Sequence, residues 1–162
     1  AFIYALLYGA GDAKLGSVVG GNQRAGKSLR ERFSSNLRSF GVLRERIQSK
    51  ISYGPQMVTG LDGRLVHVRS QHSALNTLLQ SAGAIVMKQA LLLLDDYAKQ
   101  WKLDYRFVGN IHDEVQTEVK TDQAEKFGRL AVSCIEAAGN HFNLNCPLAG
   151  EYKIGDNWYE TH

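Results

Sequence analysis

The segment that decides the fold is Tyr105-Arg-Phe-Val-Gly-Asn-Ile-His-Asp-Glu-Val-Gln-Thr-Glu-Val119. Its ends are rich in β-branched and aromatic residues and its middle is short and polar, which predicts a strand, a tight connection and a second strand. Adjacent carboxylates at the predicted turn, Asp113 and Glu114, repel each other and lie where a divalent cation would neutralise them. A solvated acidic turn is the commoner explanation of a lone pair of this kind, so the segment alone leaves both interpretations open.

The sequence on both sides of this segment has the periodicity of helices. Apolar residues recur three and four positions apart over residues 71–101, and a second helix is predicted over residues 122–141. The tail, residues 150–162, could hold one short strand.

The first part of the chain is predicted to be helical. Residues 2–8 read as a helix that Gly9 stops, and Asp12 is a plausible cap of the next helix. From about Gln23 the apolar spacing predicts two further helices, with a break at Gly41.

A turn signal, Leu61-Asp62-Gly63, precedes a strand predicted over residues 64–69. Because helices come first and mixed elements follow, the sequence predicts an α+β fold in which a small antiparallel sheet packs on long helices. The boundary is expected near Gly60, which divides the chain into residues 1–60 and 61–162.

The overall composition fits one ordinary globular domain, or two small lobes that share a core. The chain has 162 residues, of which 44% are hydrophobic and 22% are charged, and these values exclude a disordered tail, a collagen-like fibre and a disulfide scaffold. The two cysteines, Cys134 and Cys146, match no zinc-binding spacing, and a reducing cytoplasm is the default compartment. The apolar runs are short and interrupted by charges, so no segment is expected to span a bilayer, and no signal peptide is expected. No membrane partner is therefore expected.

Positive charge is concentrated in one region. Residues 21–50 contain eight basic residues and two acidic ones, whereas the whole chain has a net charge of only +3. A basic block of this kind favours a polyanionic partner, although a solvated basic helix face explains the same pattern. The basic residues are Arg24, Lys27, Arg30, Arg32, Arg38, Arg44, Arg46 and Lys50.

One motif points to a different function. Residues 21–28, Gly-Asn-Gln-Arg-Ala-Gly-Lys-Ser, match the phosphate-binding pattern of P-loop NTPases, and Leu91–Leu94 followed by Asp95 resembles the magnesium-binding strand of the same enzymes. A phosphate loop must follow a buried strand, but helix signals precede this one, and the leucines continue a helical stripe. A P-loop NTPase, with ATP binding dependent on Lys27, is therefore the less favoured alternative.

Four stretches in collinear order carry a resemblance to a known family. They are Phe2-Ile-Tyr-Ala-Leu-Leu-Tyr-Gly-Ala-Gly11, then residues 61–83, then Ile111-His-Asp-Glu114, and the tail Gly155-Asp-Asn-Trp158 that ends in His162. Together they resemble the C-terminal part, fingers and palm, of a family A (DNA polymerase I-like) DNA polymerase, in the branch of short-tailed bacteriophages. The resemblance implies a helical partial fingers subdomain over residues 1–60 and a partial palm subdomain over residues 61–162.

The resemblance also implies roles for the residues at the predicted hairpin tip. The expected metal-site residues are Asp113 and Glu114. Asp113 would bind the catalytic Mg²⁺, and Glu114 would lie beside the metals as a secondary or structural carboxylate. His112 would approach the 3′ terminus of the primer. These three residues are the expected catalytic group.

Further residues are implied to contact DNA. Asn76 and Gln80 lie one turn apart on one helix face, and their amides would reach the minor-groove acceptors that every base pair presents. Arg64 and Arg69 of the predicted hairpin are also expected to bind DNA. Gly83 would allow close backbone approach, with ordinary helix packing as the alternative.

Two tyrosines four residues apart are implied to bind the nucleotide. Tyr4 would contact the base and sugar of the incoming dNTP, and Tyr8 would stack at the position of the template base. Buried tyrosines with satisfied hydroxyl groups are the alternative.

The implied reaction is in-line attack of a primer 3′-hydroxyl on the α-phosphate of a dNTP, with two metals stabilising the attacking and leaving oxygens. It needs a second metal-binding aspartate, together with a lysine and an arginine that would precede Ala1. The expected partners are therefore primer-template DNA, dNTP and an upstream polymerase segment, and the isolated chain is expected to be inactive. Three origins would explain the missing upstream groups: a split gene, a truncation or a degenerate remnant that binds DNA. The expected location is the cytoplasm of the host cell.

Overall fold

A computed structural model describes residues 1–111 and 114–162 of the chain. These residues form two compact units, Ala1–Ser81 and Ala82–His162. Both units combine helices with one antiparallel two-stranded sheet, so the predicted α+β fold is confirmed. The assignment of residues 1–60 to fingers and 61–162 to palm refers to subdomains of a larger enzyme. The division of the chain into two compact units does not test that assignment, which stays a prediction.

The first unit contains four helices followed by a hairpin. The hairpin pairs Met57 with His67, Val58 with Val66 and Thr59 with Leu65. The elements are α1 (Phe2–Leu7), α2 (Asp12–Val18), α3 (Gln23–Asn36), α4 (Arg38–Tyr53), β1 (Met57–Thr59) and β2 (Leu65–His67).

The core of the first unit lies between α4, the hairpin and the beginning of α5 (Ala74–Gln100). Its apolar side chains come from elements far apart in sequence, which ties the hairpin to the helices. The buried members are Ile47, Ile51, Val58, Val68, Ala74 and Leu75, and Leu7 of α1 packs against them.

Two glycines allow α2 and α3 to approach closely. A Cβ on Gly26 would overlap the carbonyl oxygen of Asp12, and one on Gly16 would overlap the carbonyl oxygen of Asn22. Arg30 of α3 also forms an ion pair with Asp12 at 3.0 Å. Gly26, the second glycine of the phosphate-loop pattern, is therefore a helix-packing residue.

The context of the phosphate-loop pattern is helical throughout. Its residues from Gln23 onward form the first turns of α3, and α2 is the element before it. Leu91–Leu94 lie inside α5. The strand–loop–helix arrangement that P-loop binding requires is thus absent from this part of the described chain.

Three local predictions were wrong. The break between α3 and α4 falls at Leu37, not Gly41, and it brings the rings of Phe33 and Phe40 into edge contact at 5.5 Å between centroids. Asp12 is the first residue of α2 and not its cap, because Gly11 occupies the cap position. The tail forms a short helix where a strand was suggested.

The second unit contains most of α5, a hairpin and two further helices. The two strands predicted over residues 105–119 are confirmed as a hairpin. It pairs Tyr105 with Val119 and Ile111 with Glu114, and it has an irregularity between Phe107 and Gly109. The elements are β3 (Tyr105–Ile111), β4 (Glu114–Val119), α6 (Ala124–His141) and α7 (Trp158–Thr161).

The core of the second unit joins α5 to α6 and to the hairpin. Leu94 and Ala98 of α5 pack against Phe127, Leu130 and Cys134 of α6. Partly buried side chains of the hairpin, including Tyr105 and Val119, extend this cluster. The hairpin that carries the predicted carboxylates is therefore attached to two long helices.

A polar contact strengthens this attachment. The hydroxyl of Tyr105 donates to Asp95 Oδ1 at 2.6 Å, and Lys99 donates to Asp95 Oδ2 at 2.5 Å. Burial, and then the neighbouring Asp95 carboxylate, raise the pKa of Tyr105 to about 12. Asp95 therefore anchors β3 on α5.

One helix of the described chain, Gln71–Gln100, is long and apolar enough to cross a membrane by length and composition. On this criterion, the prediction that no segment could span a bilayer was wrong. Core helices of other proteins pass the same test, and Ala90, Leu94 and Ala98 of this helix pack into the protein core. The criterion is therefore weak support for a membrane span.

Candidate nucleotide and nucleic-acid site

The two N-terminal tyrosines lie on the surface of α1. Tyr4 is 67% exposed and Tyr8 is 53% exposed, whereas Leu6 between them is buried. Leu6 and Leu7 fix this helix against the rest of the first unit, which leaves both tyrosine rings accessible to a ligand. The alternative that the tyrosines are core residues is wrong.

Gln80 of α5 donates from Nε2 to the hydroxyl oxygen of Tyr8 at 3.0 Å. The two residues are 72 positions apart in sequence. Asn76, one turn before Gln80 on α5, is half-buried, and Gln80 is exposed. A residue predicted to bind the nucleotide and one predicted to bind DNA thus share one surface of the first unit.

Gly83 continues the exposed side of α5. A Cβ at this position would have no neighbouring atom within 4 Å among the described residues. Helix packing inside the described part of the chain therefore does not account for this glycine, and its proposed role in close backbone approach remains a prediction.

The two hairpin arginines differ in their local partners. Arg64 donates from Nε to Asp62 Oδ2 at 2.6 Å, across a turn in which Gly63 adopts a φ of +84° that favours glycine. This ion pair and its hydrogen bonds lower the pKa of Asp62. Arg69 is exposed and forms no ion pair within residues 1–111 and 114–162.

Most of the basic block is accessible to solvent. Arg30 is engaged by Asp12, and Lys27 lies 3.9 Å from Glu31. Arg44 is half-buried. The exposed members are Arg24, Lys27, Arg32, Arg38, Arg46 and Lys50.

In the second unit, the carboxylate of Glu114 is surrounded by donors from the protein. Trp158 Nε1 donates to Oε1 at 3.1 Å, His162 Nδ1 contacts Oε2 at 3.0 Å, and Gln116 Nε2 also donates to Oε1. The hydrogen bond from Gln116, followed by those from His162 and Trp158, lowers the pKa of the Glu114 carboxyl group. Glu114 is thus held as an anion at the beginning of β4.

Sequence reasoning missed this set of contacts. The sequence does not predict that Gln116, Trp158 and His162 contact Glu114, although the tail resembles that of the phage polymerases. Two of the three contacts join residues 44 and 48 positions apart. No periodicity or local motif encodes a contact over that separation.

The described residues alone do not form a complete magnesium site. They contain no group of three His, Cys, Asp or Glu side chains that could hold a metal. His112 and Asp113, to which the primer-terminus and metal roles were assigned, lie outside the described residues. Three protein donors occupy most of the roughly four acceptor positions of the Glu114 carboxylate.

A surface groove of about 780 Å³ between α5 and α6 contains none of the predicted site residues. Lys126 lies over the Trp101 ring in this groove, at 4.9 Å from the ring centroid. The groove is therefore a feature separate from the Glu114 contacts.

Comparison with known proteins identifies the relatives of the chain. It is 39% identical to the DNA-directed DNA polymerase of Enterobacteria phage T3, with 99% of the chain and 26% of the relative covered. It is 40% identical to the enzyme of Escherichia phage Phieco32, with 99% and 27% covered, and 38% identical to that of Escherichia phage T7, with 99% and 26% covered. The chain thus spans about a quarter of the length of these curated relatives.

A solved structure has the same fold. It is the POL domain of Pol1 from M. smegmatis in complex with DNA primer-template and dNTP, with a TM-score of 0.73, 19% identity, and coverage of 84% of this chain and 26% of that one. The model for DNA polymerase family A matches residues 1–160. This match includes the first three stretches on which the resemblance was based and all but the last two residues of the fourth, and the chain belongs to DNA polymerase family A.

Proposed function

We propose that this chain is the fingers and palm part of a template-directed DNA polymerase, a nucleotidyltransferase that acts in DNA replication. Membership of DNA polymerase family A is the observation that carries this function. The hydrogen bond between Tyr8 and Gln80 adds support, because it joins two residues of different predicted roles on one accessible surface.

On this proposal, the first unit binds the nucleic acid and the nucleotide. Tyr4 contacts the incoming dNTP, and Tyr8 stacks at the position of the template base. Asn76 and Gln80 donate to minor-groove acceptors, which are common to all base pairs and therefore test pair shape without reading sequence. Arg64, Arg69 and the exposed basic block neutralise phosphates.

The second unit contributes the carboxylate motif. Asp113 is proposed to hold Mg²⁺, with Glu114 beside it and His112 near the primer 3′ terminus. Magnesium uses one or two carboxylates together with substrate phosphates, so an incomplete protein set is compatible with phosphoryl transfer. When bound, it would supply electrostatic stabilisation of the reacting oxygens.

Activity is proposed to require groups that are not among these 162 residues. The chain spans about a quarter of its phage relatives, and the resemblance assigns a second aspartate, a lysine and an arginine to an upstream segment. That segment is the proposed polymerase partner, in the cytoplasm of the host cell.

Primer extension tests the proposal in two steps. The 162-residue chain is expected to give no magnesium-dependent extension, and addition of an upstream segment from a phage family A relative is expected to restore it. Robust extension by the chain alone would contradict the proposed requirement for upstream groups. Failure of every upstream segment to restore extension would count against the polymerase function.

A DNA-binding module without catalysis is the second candidate. The six exposed members of the basic block favour it, because phosphate binding needs no metal site. This candidate predicts salt-dependent binding of primer-template DNA that is unchanged by Asp113→Ala, and no extension with any upstream segment.

A further inference from the structure

We propose that α7 is a positioning element for Glu114, and that Trp158 and His162 hold its carboxylate in one orientation by contacting both of its oxygens. The inference rests on the proposed function only in the statement that Glu114 lies beside a metal-binding residue. The contact itself follows from the geometry of the described residues.

Both oxygens of Glu114 are engaged from the tail. Trp158 donates its indole N–H to Oε1 at 3.1 Å, and His162 Nδ1 donates to Oε2 at 3.0 Å. Gln116, two residues along β4, donates to Oε1 as well. A carboxylate that accepts from two sides loses the rotational freedom that an exposed glutamate otherwise retains.

Hydrogen bonds within the tail and to β4 hold α7 in position. A helix of four residues is too short to be stable alone. The side chain of Asn157 caps α7 by accepting from Glu160 N at 3.2 Å, and Thr161 Oγ1 donates to Gln116 Oε1 at 3.3 Å. The rings of Trp158 and His162 stack edge to face at 5.9 Å between centroids.

These contacts determine what Glu114 can do. Hydrogen-bond donors occupy most of its acceptor positions, so a cation would have to displace protein donors before it could bind. Trp158 is 51% exposed, so substitutions there should release the carboxylate without removing a core residue. Released Glu114 would then become available as a metal ligand.

The first test measures the contact in the 162-residue chain by NMR of the tryptophan indole N–H groups. Trp101→Phe assigns the Trp158 signal, because the chain has only two tryptophans. Glu114→Ala is expected to move the Trp158 indole proton upfield and to speed its hydrogen exchange by at least about threefold, since it removes a charge-assisted acceptor. Glu118→Ala, an exposed carboxylate on the same strand, is the control. An unchanged Trp158 signal in Glu114→Ala would overturn the proposal.

The second test measures Mn²⁺ binding by electron paramagnetic resonance in a double-mutant cycle. In the unaltered chain, Glu114→Ala is expected to change Mn²⁺ affinity by less than about twofold, whereas in Trp158→Phe/His162→Ala it should lower affinity by at least about fivefold. Equal effects in both backgrounds, or no Mn²⁺ binding by the Trp158→Phe/His162→Ala chain, would overturn the proposal. Trp158→Phe retains an aromatic ring, and circular dichroism verifies that each variant folds.

Neither test uses DNA, dNTP or turnover. Absence of primer extension with every upstream segment would therefore remove the proposed function and leave the Trp158 contact standing. Loss of the Trp158 contact together with restored extension would remove the positioning role of α7 and leave the proposed function standing.

Discussion

Within the described residues, some polar site residues of the first unit lack the internal side-chain partners that Glu114 has in the second. In Ala1–Ser81, Tyr4 and Arg69 are exposed and have no side-chain hydrogen bond or ion pair within the described residues. In Ala82–His162, Glu114 is contacted by three side chains of its own unit. An exposed donor or ring is available to an external partner, whereas a carboxylate with internal donors has its orientation set before any partner arrives.

Binding and chemistry are therefore expected to reside in different units. The first unit exposes residues that are proposed to bind nucleic acid and nucleotide, and its helices α2 and α3 pack closely at Gly16 and Gly26. In the second unit, hydrogen bonds orient the carboxylates of Glu114 on β4 and of Asp95 on α5. Four predictions test this division.

The largest effect is expected from Asp113→Ala, which tests whether the second unit supplies the chemistry. In the chain complemented by an upstream segment, the single-turnover rate of primer extension should fall by at least about a hundredfold, because charge stabilisation by a held metal is worth several kcal/mol. Glu118→Ala should stay within about twofold of the unaltered rate. Extension that survives Asp113→Ala would contradict the metal role of Asp113 and the assignment of the chemistry to the second unit.

The next effect concerns the packing of the first unit. Gly26→Ala should lower the free energy of unfolding by about 1–3 kcal/mol, because the new methyl group would overlap Asp12 and force α2 from α3. Gly41→Ala is the matched control: its Cβ would lie 3.7 Å from the nearest atom, and alanine should stabilise α4 by about 0.5–1 kcal/mol. Urea denaturation followed by circular dichroism measures both. Equal effects of the two substitutions would show that close approach at Gly26 is not required.

The hydrogen bond of Tyr105 sharpens the description of the second unit. Tyr105→Phe should cost about 1–2 kcal/mol of unfolding free energy at neutral pH, since it removes a hydrogen bond to a carboxylate. The pKa of Tyr105 is raised in the folded state to about 12 from an ordinary value of 10.0, so this stabilisation is fully present below pH 10 and disappears as the pH rises through about 12. Urea titrations of both proteins across this range should converge at high pH. A difference that is independent of pH would assign the effect to packing.

The smallest effect compares the two hairpin arginines of the first unit. Arg69→Ala should reduce the slope of log affinity against log salt for primer-template DNA by about one, as expected for one lost phosphate contact. Arg64→Ala should have a smaller effect, because the ion pair with Asp62 already neutralises Arg64. Fluorescence anisotropy at several salt concentrations measures both slopes. A larger effect of Arg64→Ala would mean that exposed residues without internal partners are not the ones that bind DNA.

The helices and the β3–β4 hairpin were predictable because their signals are local. Spacing of three and four residues identified α5 and α6, and β-branched residues flanking a short polar turn identified the hairpin. The break at Leu37 was not predictable in this way. A glycine such as Gly41 destabilises a helix by only about 1 kcal/mol, so the helix can continue through it. The contact between Phe33 and Phe40 instead accompanies the break at Leu37.

The candidate site was predictable only in part. The resemblance selected Tyr4, Tyr8 and Gln80, and the exposure of the tyrosines, on which their proposed roles depend, became visible only in the folded chain. The role of Gly26 in the phosphate-loop pattern also became visible only in the folded chain. The pattern alone does not distinguish a phosphate loop from a helix that needs this glycine for packing.

The sequence determined the family, the helical periods and the order of the elements, because each is encoded in neighbouring residues or in collinear motifs. The contacts of Trp158 and His162 with Glu114, and of Gln80 with Tyr8, depend on the tertiary fold. These pairs are separated by 44, 48 and 72 residues. Hydrogen bonds reach only about 3 Å, so such partners are set by how the cores bring distant segments together and not by any pattern along the chain.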